Sequence, residues 1–494
     1  MKYILKPLLK IFAVSFTCLF ISIYSFGQYN LKLLEQEVHA LKVDKTLSNA
    51  SWGYCIKAVS SNKVVSEYNS QLSMVPASSL KVLTTIGAFH ILGKNYTAET
   101  KLEYSGSIDA NGTLNGNIYI KGGGDPTLGS AYFGKDMQTV VSIWAKSIID
   151  KGIKRINGQI IQDASVFDEQ IADTWIWSDI ANYYGAVPSA LSISDNTYSI
   201  FFKSPPELNV KSEIDRIEPS VDYIRFYNYV NTASPSTGDN VIIYGSPFSN
   251  ERLLRGTIPS AKGVFKVKGS IPDPPYFCSL LLYDKLKSSG IDIEKQCQKT
   301  IDIESSSLDK QRFVLNVQKS PLLKDIIEKT NFKSINFYAE TLLRLCGYKT
   351  YKLGSNSNGI KAILNYYEKE GIKTNGVSMY DGCGLSPKNM VTPSVFTDVL
   401  ILASKEDFFD DFYNSLPSPT DASSTLKRIL QDYKYAGNLR AKSGYITGVR
   451  SYTGYFKNNN GELFAFSIIF NNYTCSNAEI RNKIEQFMKA MMGM

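Results

Sequence analysis

A chain of 494 residues that is 43 % hydrophobic and 20 % charged can fill packed cores, and its length exceeds what one core supports, so two to four domains are expected. The formal charge is +8, and without Lys2, Lys6 and Lys10 it falls to about +5, too mild over this length for a nucleic-acid binder. The two histidines, His39 and His90, sit among apolar neighbours, which leaves no room for a Ser-His-Asp enzyme or a histidine-rich metal site.

In chain order, residues 1–28 read as a secretory signal: a lysine-bearing start, an apolar run from Ile11 to Phe26, and the small-residue region Ser25-Phe26-Gly27-Gln28. The run is shorter than the ~20 residues of a membrane span. Cys18 lacks the small residues that a lipid-attachment site places before it. No later stretch is long and apolar enough to span, so no integral span is expected after processing. Leu31 to Leu47 has helical periodicity; Trp52–Val59 and Val64–Tyr68 read as a hairpin about Ser60-Ser61-Asn62. Ser79 to Leu92 reads as a buried helix that stops at Gly93.

From about Thr97 the text changes to short alternating strands with Gly/Asn turns, interrupted by a helix between Met137 and Lys151, and this β-rich section runs to about Lys268. Helical text then returns at Pro275–Ser289, Leu322–Lys329, Asn336–Leu345, Gly359–Glu370 and Thr392–Ala403. The end reads as strands Leu439–Tyr445, Val449–Phe456 and Leu463–Phe470 and a helix Ala478–Met491. The expected division is therefore 29–97 and 269–494 as two parts of one α/β domain, with 98–268 inserted between them. Six cysteines follow the signal, with no C-x-x-C spacing to suggest zinc. Cys278 and Cys297, flanking one helix-turn unit, are the pair a disulfide would join.

Three short motifs carry chemistry. Ser78-Ser79-Leu80-Lys81 places a hydroxyl and an amine three residues apart, on one face of a helix. An amine whose pKa is lowered by burial can serve as base to that hydroxyl without any histidine. Ser-x-x-Lys also occurs at Ser60/Lys63, Ser307/Lys310 and Ser424/Lys427, each read as surface helix or loop chemistry. Ser334-Ile335-Asn336 opens a helix of the main domain, where a hydroxyl alone would read as an N-cap. The literal Ser-Asp-Asn at Ser194-Asp195-Asn196 is a rival. It lies in the strand-rich insertion, 248 residues before the third motif, whereas Ser334 lies 108 before it. The third motif is Lys442-Ser443-Gly444, on a strand before the turn Thr447-Gly448. Its cation and hydroxyl suit a substrate carboxylate, and Gly444 would let a ligand lie against the backbone.

Ser-x-x-Lys, Ser-x-Asn and Lys-Ser-Gly in this order, with a long insertion after the first, resemble the low-molecular-mass class C penicillin-binding proteins, serine D-Ala-D-Ala carboxypeptidases/endopeptidases. Pro76-Ala77-Ser78, Gly122-Gly123-Gly124-Asp125-Pro126, Tyr184-Gly185-Ala186 with Ser189-Ala190-Leu191-Ser192, and Asp381-Gly382-Cys383-Gly384-Leu385-Ser386 resemble further markers of that family. The resemblance implies a β-lactamase/transpeptidase-like α/β domain, an antiparallel sheet flanked by helices, with a large β-rich insertion forming one or two extra domains. It implies Ser78 as nucleophile, Lys81 as base, Ser334 as proton relay and Asn336 as anchor of Lys81 and substrate. Lys442, Ser443, Gly444 and Tyr445 would bind substrate, with the backbone N–H groups of Ser78 and Tyr445 as oxyanion hole. Peptidoglycan stem peptides would be the substrate and β-lactams covalent inhibitors, in the bacterial periplasm or cell envelope, with no metal or organic cofactor. A β-lactamase of the same fold and a catalytically silent cell-wall binding protein are the competing readings. The sequence departs from the family pattern at Cys383, where Ser is usual and a thiol could confer redox sensitivity, at Ser443 for the commoner Thr, and at Tyr445, whose bulk would narrow the mouth.

Overall fold

The computed structural model describes residues 29–494, so the signal reading of 1–28 lies outside the described residues. Among the described residues no helix is long and apolar enough to cross a membrane. The first strand, Ser51–Ala58, pairs antiparallel with one of the last, Leu463–Asn471, from Ser51 opposite Asn471 to Ala58 opposite Phe464. Val64–Tyr68 lies outside it, and Val449–Lys457 and Leu439–Ile446 extend the sheet on the other side, giving five antiparallel strands.

Alternation along these strands separates two cores. Trp52, Tyr54, Ile56, Phe466, Ile468 and Phe470 face the helices Lys32–Val43 and Asn477–Met492, with Trp52 stacked on Phe470 at 5.4 Å. The opposite face is covered by the helix Pro393–Ala403, on which the helix Lys81–Leu92 packs. Every residue from Lys81 to Phe89 is buried, because Leu323–Lys333, Asn336–Tyr351 and Asn356–Lys369 surround that helix. An apolar sequence on all sides is what such a central helix requires.

The inserted body extends past Lys268, where the sequence reading ended it. Strand Phe313–Lys319 pairs with Glu99–Tyr104, which also pairs with Ile118–Lys121, and the helix Pro274–Ser288 packs on Met137–Asp150 and on Ile160–Asp163. Strand pairing therefore carries the insertion to Lys319. Helical periodicity cannot reveal this, since it records that a helix has an apolar face and not which sheet receives it. Within the insertion, strands between Thr197 and Ser270 form two further three-stranded sheets.

All six described cysteines are free thiols, which overturns the expected Cys278–Cys297 disulfide. Cys278 is fully buried in the core of its helix, whereas Cys297 hydrogen-bonds Ser279, one residue on and about 100° around that helix.

Candidate active site

Pro76 leads into a 3₁₀ turn, Ala77–Leu80, that continues into the helix Lys81–Leu92. Ala77 is held at φ +45°, a left-handed conformation costly for alanine. Packing enforces it. A Cβ on Gly384 would stand 1.9 Å from the Ala77 carbonyl oxygen, and one on Gly444 2.4 Å from that of Pro76. Ser451 Oγ donates to the Pro76 carbonyl at 2.5 Å and lies 2.8 Å from Ser79 Oγ. Asn471 clamps the preceding residue, accepting from Val75 N–H at 2.8 Å and donating to its carbonyl at 3.0 Å.

This turn and helix bring Lys81 Nζ to 3.1 Å from Ser78 Oγ, 2.6 Å from Asn336 Oδ1 and 2.7 Å from the Cys383 carbonyl oxygen. Asn336 is fixed in turn, its Nδ2 donating to the Tyr184 carbonyl of the insertion at 2.8 Å. Complete burial lowers the pKa of Lys81, against an opposing pull from Cys383, Asp381 and Glu340. Two of its three partners are carbonyl-type oxygens that can only accept. A neutral Lys81 therefore keeps its two N–H bonds on them and turns its lone pair to the Ser78 hydroxyl, the geometry of a general base.

Ser334 ends the helix Leu323–Lys333 in a left-handed conformation, φ 59° and ψ 41°, and lines the same cavity as Ser78 and Asn336. That cavity, about 720 Å³, is walled on its far side by Tyr132, Asp179, Tyr184 and Asp195 of the insertion. A second cleft of about 390 Å³ reaches Ser78 and Ser334 from the side of residues 424–428. Tyr445 lines both, 49 % exposed, with its hydroxyl accepting from Asn477 Nδ2 at 2.9 Å.

The third motif divides by strand alternation. Lys442 is fully buried, its Nζ donating to the Ser443 carbonyl at 2.8 Å; burial and the charge of Lys81 hold its pKa well below the usual lysine range. Lys442 is not among the residues that line either cavity, whereas the sequence reading placed it beside a substrate carboxylate. Ser443 points the other way and donates to Thr425 Oγ1 at 3.2 Å. Gly444 also departs from expectation. Its missing side chain makes room for Pro76 and for Ser451 Oγ, 2.2 Å from where a Cβ would lie, and not for a ligand.

Cys383 belongs to the floor through its carbonyl. Its thiol is fully buried, and burial with Asp381 and Glu340 nearby raises its pKa well above the ordinary value, so the expected redox-sensitive thiol is a protonated, inaccessible one. Glu340, Asp381 and Cys383 bring ligand-type atoms within 4.8 Å of one another, but the carboxylates are already engaged. Glu340 accepts from Gly382 N–H at 2.7 Å; Asp381 accepts from Trp175 Nε1, Gly384 N–H, Ser386 N–H and Asn389 Nδ2 at 2.6–2.9 Å.

The rival Ser194-Asp195-Asn196 is a wall turn: Asn196 Nδ2 donates to the Val187 carbonyl and Asp195 accepts from the Tyr338 hydroxyl, both at 2.8 Å. Sequence reasoning missed Ser451 and Asn471, which have no local signature. It saw Ser424/Lys427 but set them aside as surface chemistry, whereas both line the second cleft.

The chain is 25 % identical over 470 residues to the D-alanyl-D-alanine carboxypeptidase DacB of Haemophilus influenzae, covering 94 % of this chain and 92 % of that one. It is 24 % identical to a D-alanyl-D-alanine carboxypeptidase of Actinomadura sp., covering 89 % and 81 %. The crystal structure of penicillin binding protein 4 (dacB) from H. influenzae superposes with a TM-score of 0.77 at 24 % identity, over 94 % of this chain and 98 % of the other, which shows a shared fold. Residues 34–492 match the profile of the D-Ala-D-Ala carboxypeptidase 3 (S13) family, and the chain belongs to that family.

Proposed function

We propose that the protein is a serine D,D-peptidase of the bacterial cell envelope, acting in the periplasm on peptidoglycan stem peptides that end in D-Ala-D-Ala. The observation that carries this reading is the amine of Lys81, buried and lowered in pKa, held against Ser78 Oγ by two oxygens that can only accept. Ser78 Oγ bonds to the penultimate D-Ala carbonyl carbon while Lys81 takes its proton. Ser334 passes a proton to the departing amine as the C–N bond breaks. Backbone N–H groups of Ser78 and Tyr445 stabilise the oxyanion, commonly the largest electrostatic contribution. Asn336 holds Lys81 and the substrate's peptide, Ser443 faces the leaving residue, and Lys442 supports the strand from below, donating to the Ser443 carbonyl. Water then attacks the acyl-enzyme by the reverse proton route. β-Lactams acylate Ser78 in the same way and stall there.

The test combines D-Ala release from a D-Ala-D-Ala peptide, read by mass, with covalent labelling by fluorescent penicillin. Wild type should do both, and Ser78→Ala should lose the label completely while keeping its circular dichroism. A label that survives in Ser78→Ala overturns the assignment, and rapid turnover of penicillin points to a β-lactamase instead.

A further inference from the structure

One segment of the insertion, residues 168–184, is fastened to the catalytic domain behind the base. At one end Arg344, buried in the helix Asn336–Tyr351, pairs with Asp168 at 2.7 Å and donates to the Gln170 carbonyl. At the other end the Tyr184 carbonyl accepts from Asn336 Nδ2 at 2.8 Å. Between them Trp175 and Ala172 are buried against Ala339, Cys383 and Leu385, in a small core separate from the two main ones. Ile176 lines the larger cavity, whereas Trp175 is not among the residues that do.

Within that small core Trp175 Nε1 donates to Asp381 Oδ2 at 2.9 Å. The carboxylate is fully buried, and its other donors, Gly384 N–H, Ser386 N–H and Asn389 Nδ2 at 2.6–2.8 Å, belong to the loop that Asp381 itself opens. A buried carboxylate is costly unless hydrogen-bonded, so the loss of one donor is felt by the whole loop. That loop carries the Cys383 carbonyl, 2.7 Å from Lys81 Nζ, and Gly384, packed against the Ala77 carbonyl ahead of Ser78.

We propose that Trp175 is a positioning residue for the base: through Asp381 it sets the Cys383 carbonyl and so the direction of the Lys81 amine. The proposal rests on the Ser78/Lys81 peptidase reading. Of the three oxygens about Lys81, two are then governed by the insertion, Asn336 Oδ1 through the Tyr184 carbonyl and the Cys383 carbonyl through Trp175. The insertion thus shares in the chemistry from behind, through contacts that no substrate makes.

The experiment follows penicillin acylation of the full chain as a function of pH, separated into the binding constant and the rate of the covalent step, for wild type, Trp175→Phe and Ile171→Ala. Trp175→Phe keeps a ring in the small core and removes the N–H; Ile171→Ala loosens the same core and keeps it. In Trp175→Phe the covalent step should slow about tenfold with binding unchanged, the scale of a reacting group held slightly out of place. Its rising acid limb should move to higher pH, because an Asp381 carboxylate with one donor fewer draws the Lys81 proton more strongly. Glu340, Cys383 and Lys442, the other titratable groups that act on Lys81 or feel it, are left in place. Ile171→Ala should lower the melting temperature alone. Should Trp175→Phe fail to fold, the tryptophan isostere with sulfur in place of the ring N–H, inserted at position 175, keeps the shape and makes the same comparison. An unchanged rate and acid limb, or equal kinetic losses in Ile171→Ala, overturns the positioning role while the peptidase reading stands. If wild type takes no penicillin label and releases no D-Ala, the peptidase reading itself is wrong and the role falls with it.

Discussion

The floor beneath Ser78 and the rim around it use polar groups differently. On the floor Lys81, Ser79, Ser451 and Lys442 are fully buried, and each has a hydrogen-bond partner of its own within the protein. On the rim Thr425, Lys427, Arg428 and Tyr445 are exposed. Groups on the floor are positioned before any ligand arrives, so they act on the reaction rate and on stability. Groups on the rim reach solvent, so they are placed to meet what binds.

Ser334 tests the division most severely because it lines both the cavity and the cleft. Ser334→Ala should cut peptide turnover by about 10²-fold or more, the scale of a lost proton-transfer group. Ser194→Ala should leave turnover near wild type, since Asp195 lines the cavity and Ser194 does not. Equal kinetic losses in the two variants would show that the wall takes part in the chemistry.

Glu340 lies under the floor, where burial and the neighbouring Asp381 raise its pKa to about 7. In the unfolded chain it would titrate near the ordinary glutamate value of 4.5. Across that window the native state keeps a proton that the unfolded state has lost, so this group lowers stability as pH rises from about 4.5 toward 7. Glu340→Gln should flatten the pH dependence of the unfolding free energy there, by up to about 3 kcal/mol. Denaturant melts at pH 5 and pH 7 measure it; parallel curves for variant and wild type would place its charge outside the folding balance. Gly444→Ala should have the smallest consequence, about 1–3 kcal/mol of stability lost to overpacking against Pro76 and Ser451. A matching fall in melting temperature would confirm that Gly444 serves the turn; unchanged stability with weakened substrate binding would return it to the ligand.

Part of the floor was legible in the sequence: a three-residue spacing brings Ser78 and Lys81 together, whereas Asn336, far along the chain, could be placed beside Lys81 only through the family resemblance. The face of Lys442 was open to the same reasoning. A strand period of two cannot send Lys442 and Ser443 to one ligand, and the structure separates them. Contacts across long separations were not legible: Ser451 with Pro76, Asn471 with Val75 and Lys333 with Ser423 depend on chain paths that no local pattern records. The limit of the insertion failed for that reason too, since the pairing of Phe313–Lys319 with Glu99–Tyr104 closes a loop of more than two hundred residues.

The pairing of Ser51–Ala58 with Leu463–Asn471 has a consequence for the order of events in the making of the protein. Ser51–Ala58 can pair early with Val64–Tyr68, but its other neighbour is made only when nearly the whole chain has been synthesised, and the clamp on Val75 comes from Asn471 of that late strand. Contacts between such distant positions form slowly, because the intervening chain must first be gathered. A growing chain that has not yet reached these strands therefore holds Ser78 without the contacts that fix the turn ahead of it, those of Ser451 with Pro76 and of Asn471 with Val75.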